Sequence, residues 1–192
     1  MATSIPIFAL NTVLYPGSLL PLKVFEQRYL EMTKTCVRDN TAFGVCSIKE
    51  GQEVGLPAVP EQVGCTALIV EWEMPHLGVF HLRTRGETPF RILQYTTQPD
   101  GLIRADVEYM EDFPGEVRSE SFALCRRVLE EIIVKIGTDY FLPPLAYDDP
   151  RWTSYRLAEV LPLESGQKQS LLAMRDDGER LARLHEYLQQ AA

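Results

Sequence analysis

After Phe113-Pro114-Gly115 the hydrophobic period of this chain turns helical and stays so. Upstream, apolar residues come in short runs or alternate with polar ones, punctuated by Gly and Pro. Ile103, Ala105, Val107 and Tyr109 against Arg104, Asp106 and Glu108 give the clearest two-residue alternation. Downstream, Phe122, Cys125, Val128, Leu129, Ile132, Ile133 and Ile136 recur at helical spacing. Strands followed by helices mean an α+β fold. With 192 residues there is room for one ordinary domain or two small ones. The expected division is a β-rich part over 1–114 and a helical subdomain over 115–192. That subdomain is expected to pack on the β part, because its stripe is too apolar to leave wet.

The β-rich part carries one interruption. From Glu26 to Asp39 the residues Tyr29, Met32, Thr33, Cys36 and Val37 share a helical face, and Asn40 ends the helix. Strands are expected at Ile5–Ala9, Leu19–Phe25, Phe43–Ile48, Cys65–Glu73, Val79–Arg85, Phe90–Tyr95 and Ile103–Tyr109. Glu50 to Gln62 reads as a loop, and Met74 to Gly78 as a hairpin connection. Many short strands at this spacing suggest a closed or half-closed barrel. In the second part, Asp149-Pro150 opens a helix and Pro162 stops it. A further helix is expected around Gln167–Met174. The last begins at Asp176, with Glu179 completing a capping box.

Ile5 to Leu22 contains no charge, but Pro6, Asn11, Pro16, Gly17 and Pro21 interrupt it, and no lipid-spanning helix tolerates that composition. It reads as two buried strands joined by a turn. No basic stretch precedes it, so an export signal is disfavoured and a cytoplasmic location is expected. Cys36, Cys46, Cys65 and Cys125 form no C-x-x-C pair, which leaves small buried hydrophobes in a reducing compartment and no metal site. The formal net charge of −8 and pI near 5.0 oppose a partner held by phosphates.

Catalytic signatures are missing: no phosphate-binding G-x-x-x-x-G-K-[ST], no G-x-S-x-G, no H-E-x-x-H. His76, His81 and His185 read as surface side chains. Asp148-Asp149 and Asp176-Asp177 precede helices, where carboxylates satisfy free N–H groups. No catalytic residue, cofactor or metal is expected.

Two stretches are more specific: Leu14-Tyr15-Pro16-Gly17-Ser18-Leu19-Leu20-Pro21-Leu22-Lys23-Val24-Phe25-Glu26-Gln27-Arg28-Tyr29, and Arg83-Thr84-Arg85-Gly86-Glu87-Thr88-Pro89-Phe90-Arg91-Ile92. With Pro6-Ile7-Phe8, Phe43-Gly44-Val45 and Val63-Gly64-Cys65-Thr66-Ala67 they resemble, in order, the Lon protease N-terminal domain family. Ala9 stands where that family often has a second Pro, and Pro89 where it usually has Arg. Arg156-Leu157-Ala158-Glu159-Val160-Leu161-Pro162-Leu163 and Gln167 to Leu172 extend the resemblance into the helical part. It implies a PUA-like β pseudo-barrel with one inserted helix, followed by a C-terminal helical bundle.

The resemblance also implies non-catalytic recognition of polypeptides, through exposed apolar or extended segments. The chain reads as a stand-alone domain, since Ala192 leaves no room for the ATPase and Ser-Lys peptidase parts of a full Lon protease. Candidate peptide-binding residues are Leu14, Tyr15, Leu19 and Leu20 near the N-terminus and Trp72, Met74 and Leu77 in the hairpin. Expected partners are unfolded or apolar polypeptide segments, alongside a separate protease or chaperone; no membrane and no nucleic acid is expected. The alternative is RNA binding through the barrel, an analogy of fold that the acidic balance opposes. The motifs themselves read as architecture more than as ligand contacts. Pro16-Gly17 makes a tight turn, Gly86 a permissive point, and Glu26, Arg28, Arg85 and Arg91 ion pairs pinning the helix to the barrel.

Overall fold

The computed structural model describes residues 3–190. They divide into two compact units, Met1–Met110 and Glu111–Ala192. The first contains β1 (Thr3–Leu10), β2 (Leu19–Val24), α1 (Gln27–Asp39), β3 (Phe43–Glu50), β4 (Val59–His76), β5 (Val79–Thr97) and β6 (Ile103–Tyr109). The sheet order is β2-β5-β4-β3-β1-β6, and β6 pairs again with β5. Five strands thus close on themselves, while β2 lies outside the ring. β1 and β3 run parallel, which the intervening chain with α1 makes possible; the other pairs are antiparallel.

Glycines decide how this ring fills. Phe90 is fully buried among Ile5, Ile7, Cys46, Ile92 and Val107. A Cβ on Gly44 would lie 2.7 Å from the tip of the Phe90 ring, and one on Gly64 2.6 Å from it. Both glycines therefore leave room for the same aromatic ring, and beside it for Ile7 at Gly44 and for the Val45 carbonyl at Gly64. The helix α1 lays Tyr29 against Phe8, their centroids 3.8 Å apart.

The two motif stretches meet. Gly17 N–H donates to the Gly86 carbonyl at 2.8 Å, and Gly86 N–H to the Ser18 carbonyl at 2.9 Å. A Cβ on Gly86 would sit 2.1 Å from the Tyr15 carbonyl oxygen, so only glycine fits beneath this turn.

Several expectations need correction. β2 is not a buried strand: it is an edge, with Pro21 exposed in its middle, and an edge is where a strand tolerates proline. Val79–Arg85 and Phe90–Tyr95 belong to one continuous strand, β5. Its register with β4 shifts between Cys65 and Ala67. There the Thr66 hydroxyl accepts the Thr88 N–H at 3.0 Å and donates to the Thr88 carbonyl. β4 begins at Val59, shortening the expected loop, and the hairpin turn contracts to Leu77-Gly78, with Gly78 at φ 80°. Of the expected pinning pairs, only Arg28 serves: it binds Glu26 at 2.9 Å and the Gly101 carbonyl at 3.3 Å. Arg85 pairs with Glu87 instead, and Arg91 is exposed.

The second unit contains α2 (Ser119–Ile136), α3 (Pro150–Val160), α4 (Ser165–Ala173) and α5 (Asp177–Gln190). The buried stripe of α2 is narrower than its sequence suggests. Ser121, Cys125, Leu129 and Ile133 are buried, Ile132 is half-buried and Ile136 exposed. Asp149 caps α3 by accepting the Arg151 N–H at 2.9 Å, and Asp176 accepts the Glu179 N–H at 2.9 Å. Asp177 does not cap. It is buried between Arg180, at 2.9 Å, and Arg151, at 3.0 Å.

Candidate functional site

Beyond Ala67, β4 leaves β3 and continues with β5 alone, while β2 flanks the other side of β5. The result is a three-stranded arm, ordered β2-β5-β4, extending from the ring. Its register places Leu22, Leu82 and Trp72 in one row, Pro21, Arg83 and Glu71 in the next, and Lys23, His81 and Glu73 in a third. Because side chains alternate across a strand, the first row lies on one face and the other two on the opposite face.

The first face is apolar. Val24, Phe80 and Leu82 are buried, Leu22 is half-buried, and Trp72 remains 52% exposed with its ring 5.9 Å from that of Phe80. The second face is a charge ladder. Arg83 reaches both Glu71 oxygens at 3.1 and 3.2 Å, and Glu73 Oε1 lies 3.0 Å from His81 Nδ1. A cleft of about 590 Å³ is lined by this ladder and by Pro21, Leu22, Lys23, Trp72 and Leu82. At the tip Met74 is half exposed and Leu77 is 96% exposed. Along the outer edge of β2 runs a smaller crease of about 160 Å³, lined in part by Phe8, Leu22 and Tyr29 and by the exposed Phe25 and Val54.

The candidate residues separate into three groups. Leu14 and Tyr15 are buried, at 3% and 0%, and offer no surface to a ligand; the turn they precede is pressed onto Gly86. Leu19 and Leu20 are half-buried on β2. Trp72, Met74 and Leu77 stand on the exposed part of the arm. Leu20 and Trp72 are brought to flanking strands with β5 between them. Leu22, Glu71, Glu73, His81 and Arg83 also line the cleft and were not singled out as binding residues. Their signal is the cross-strand register, which appears only once β2 and β4 are both placed beside β5.

Among the described residues no group of three or more His, Cys, Asp or Glu side chains could hold a metal ion. The cysteines are buried, and burial pushes the Cys125 thiol up to about 12 and the Cys46 thiol higher than its ordinary value, the reverse of what a nucleophile needs. No described helix is long and apolar enough to cross a membrane.

Residues 4–190 match the family defined as the ATP-dependent protease La (LON) substrate-binding domain. A crystal structure of a Lon N-terminal domain protein from Xanthomonas campestris is 35% identical. It superposes with a TM-score of 0.80 over 96% of this chain and 98% of that one. The N-terminal domain of a Mycobacterium avium complex Lon protease, 18% identical, shares the fold with a TM-score of 0.68, covering 99% of this chain and all of that one. Lon protease 1 of Herpetosiphon aurantiacus is 24% identical over 190 residues, which are 93% of this chain and 23% of that protein. Lon protease of Anaeromyxobacter dehalogenans is 27% identical over 136 residues, 69% of this chain and 16% of its own length. The chain thus spans about a quarter or less of these full-length relatives.

Proposed function

The chain belongs to the Lon substrate-binding domain family, and from that premise we propose that it recognises polypeptides without acting on them chemically. Exposed apolar or extended segments are held at the arm of β2, β5 and β4. The observation that carries this reading is the exposure of Trp72, Met74 and Leu77 on an arm whose neighbouring apolar residues, Phe80 and Leu82, are buried. An indole and a thioether half open to water give large, adaptable contact area. The charge ladder on the other face is internally paired, which suits orientation of a ligand more than attraction over distance.

A small surface must offset the ordering of a flexible ligand, so affinity is expected in the micromolar range or weaker. Titration of a fluorescent unfolded peptide against wild type and the Trp72→Ala/Met74→Ala double variant tests the site. The variant is expected to bind more weakly while its denaturation midpoint stays in place. Equal affinities would move the site elsewhere, and no binding up to millimolar peptide would defeat polypeptide recognition. Apolar burial should persist in moderate salt; a salt-sensitive affinity for RNA, with none for peptide, would transfer the function to the barrel.

A further inference from the structure

The arm has two edges, and they are not equivalent. On the β2 side, the Ser18 carbonyl accepts the Gly86 N–H and the Leu20 carbonyl accepts the Thr84 hydroxyl at 2.8 Å. Backbone groups of successive strand residues point to opposite sides. Leu20, Leu22 and Val24 therefore turn theirs toward β5, and Leu19, Pro21 and Lys23 turn theirs outward. In the middle of that outward row stands Pro21, which has no N–H to give. This edge is blunted in the manner of protected edge strands.

The opposite edge has no such guard at its centre. β4 pairs with β3 only as far as Ala67, whereas its ladder with β5 continues to His76. Val70 to Leu77 are exposed among the described residues. The backbone groups of Leu82 and Thr84 face β2, so those of His81 and Arg83 face β4 and meet Glu73 and Glu71. By the same alternation the N–H and C=O of Trp72 point out of the sheet, into water. Register shifts on either side, between Ile69 and Glu71 and between Glu73 and His76, confine the regular open edge to a short length.

We propose that this open edge of β4, centred on Trp72, takes up an extended polypeptide as an added strand, apolar where it lies beside Trp72 and basic where it lies beside Glu71 and Glu73. The proposal rests on the polypeptide-recognition reading and adds to it the mode of binding and the preferred sequence pattern. An unpaired donor and acceptor on one residue are the chemistry that an extended backbone satisfies. Side chains of an added strand continue the rows of the arm. One alternate set falls next to the indole, and the other falls next to two carboxylates that are 65% and 71% exposed. Each of those carboxylates meets its internal partner on the β5 side, which leaves accepting capacity toward the open edge. The chain's net charge of −8 further disfavours an acidic segment.

Three labelled peptides added to the full chain test this by fluorescence anisotropy. They are an alternating Val-Lys peptide and an alternating Val-Glu peptide, each unmodified, with the Val-Lys peptide also made in a third form whose amides are N-methylated, in separate samples, on every Val or on every Lys. The Val-Lys form is expected to bind about tenfold more tightly than Val-Glu at low salt, with the difference shrinking as salt screens it. If the strand adds antiparallel, the residue opposite Trp72 shares its face and is a valine. Methylating the Val amides should then cost about tenfold or more, while methylating the Lys amides is tolerated; parallel addition reverses the two. If both methylated forms bind like their parent while Trp72→Ala still weakens binding, side chains alone hold the ligand. The strand-addition inference then fails, and polypeptide recognition stands. If neither these peptides nor an unfolded protein binds, both fall. A self-associated chain whose Trp72 amide is already protected from exchange without peptide would give the edge to a second copy and overturn the inference.

Discussion

The two units of this chain satisfy their buried backbone by different means. In the first, a closed ladder of strands pairs most N–H and C=O groups, so interior side chains need only fill space. Among its described residues the buried polar ones are nearly all hydroxyls, with Arg28 the one buried charge. In the second, short helices leave carbonyls unpaired at their ends, and buried charge closes the gaps. Arg180, fully buried, donates to the Leu171 and Met174 carbonyls at the end of α4, at 3.3 and 2.8 Å. It also pairs with Asp177 and Asp112, at 2.9 and 3.4 Å, and stacks on the Tyr155 ring at 3.9 Å. A sheet that closes needs space-filling side chains; a bundle of short helices needs donors.

The widest break of this comparison is expected at Arg180. Arg180→Met leaves Asp177 with Arg151 alone, Asp112 without its nearer arginine and two helix-end carbonyls without this donor, at a cost of about 3–5 kcal/mol. Burial already pushes the Asp177 carboxyl above its ordinary value against the pull of Arg180 and Arg151, so losing Arg180 should raise it further. Chemical denaturation measures the loss. In the ring the corresponding weak point is steric: Gly86→Ala drives a methyl into the Tyr15 carbonyl and should cost about 1–3 kcal/mol. If Gly86→Ala proved worse than Arg180→Met, packing and not buried charge would be the more demanding constraint.

A smaller effect distinguishes neither unit and so calibrates both. The Cys125 thiol ordinarily titrates near 9.0 and is held near 12 in the fold. A raised folded value means its contribution is fully present below about pH 9 and lost as pH climbs toward 12. The stability of wild type relative to Cys125→Ala should therefore fall by about 1 kcal/mol shortly above the ordinary value. A difference that stays flat with pH would show the site to be open to water. Smallest of all is Trp72→Ala with Met74→Ala, expected within about 0.5 kcal/mol of wild type because both side chains already face solvent.

Periodicity alone located β6 at its observed ends and the α3 start at Asp149-Pro150, because alternation and capping are local signals. The continuity of β5 was not legible, since Gly86 and Pro89 are ordinarily strand breakers. Gly86 is there to clear the Tyr15 carbonyl, and the Pro89 carbonyl accepts the Met110 N–H; both reasons lie far away in sequence. Leu14 and Tyr15 looked like contact residues because an apolar run reads the same whether it faces core or ligand. The exposed hairpin residues stood out because Pro75, His76 and Gly78 surround them with turn signals. The Arg180 cluster joins an i,i+3 pair on α5, Asp177 and Arg180, to Arg151 and Tyr155 on α3 and to Asp112, and no spacing rule connects those three segments.

The ring is closed by its last strand. β6 pairs with β1, setting Ala105 opposite Ile5, and also with the second half of β5. Until residue 109 has been synthesised, the emerging chain has one side of β1 and the distal half of β5 without partners, including the exposed Leu93 and Tyr95. Pairings this distant in sequence form slowly, and unpaired strands of this kind are where nascent chains adhere to one another. The newborn protein therefore passes through an interval in which it resembles the extended, partly apolar segments that its finished arm is proposed to hold.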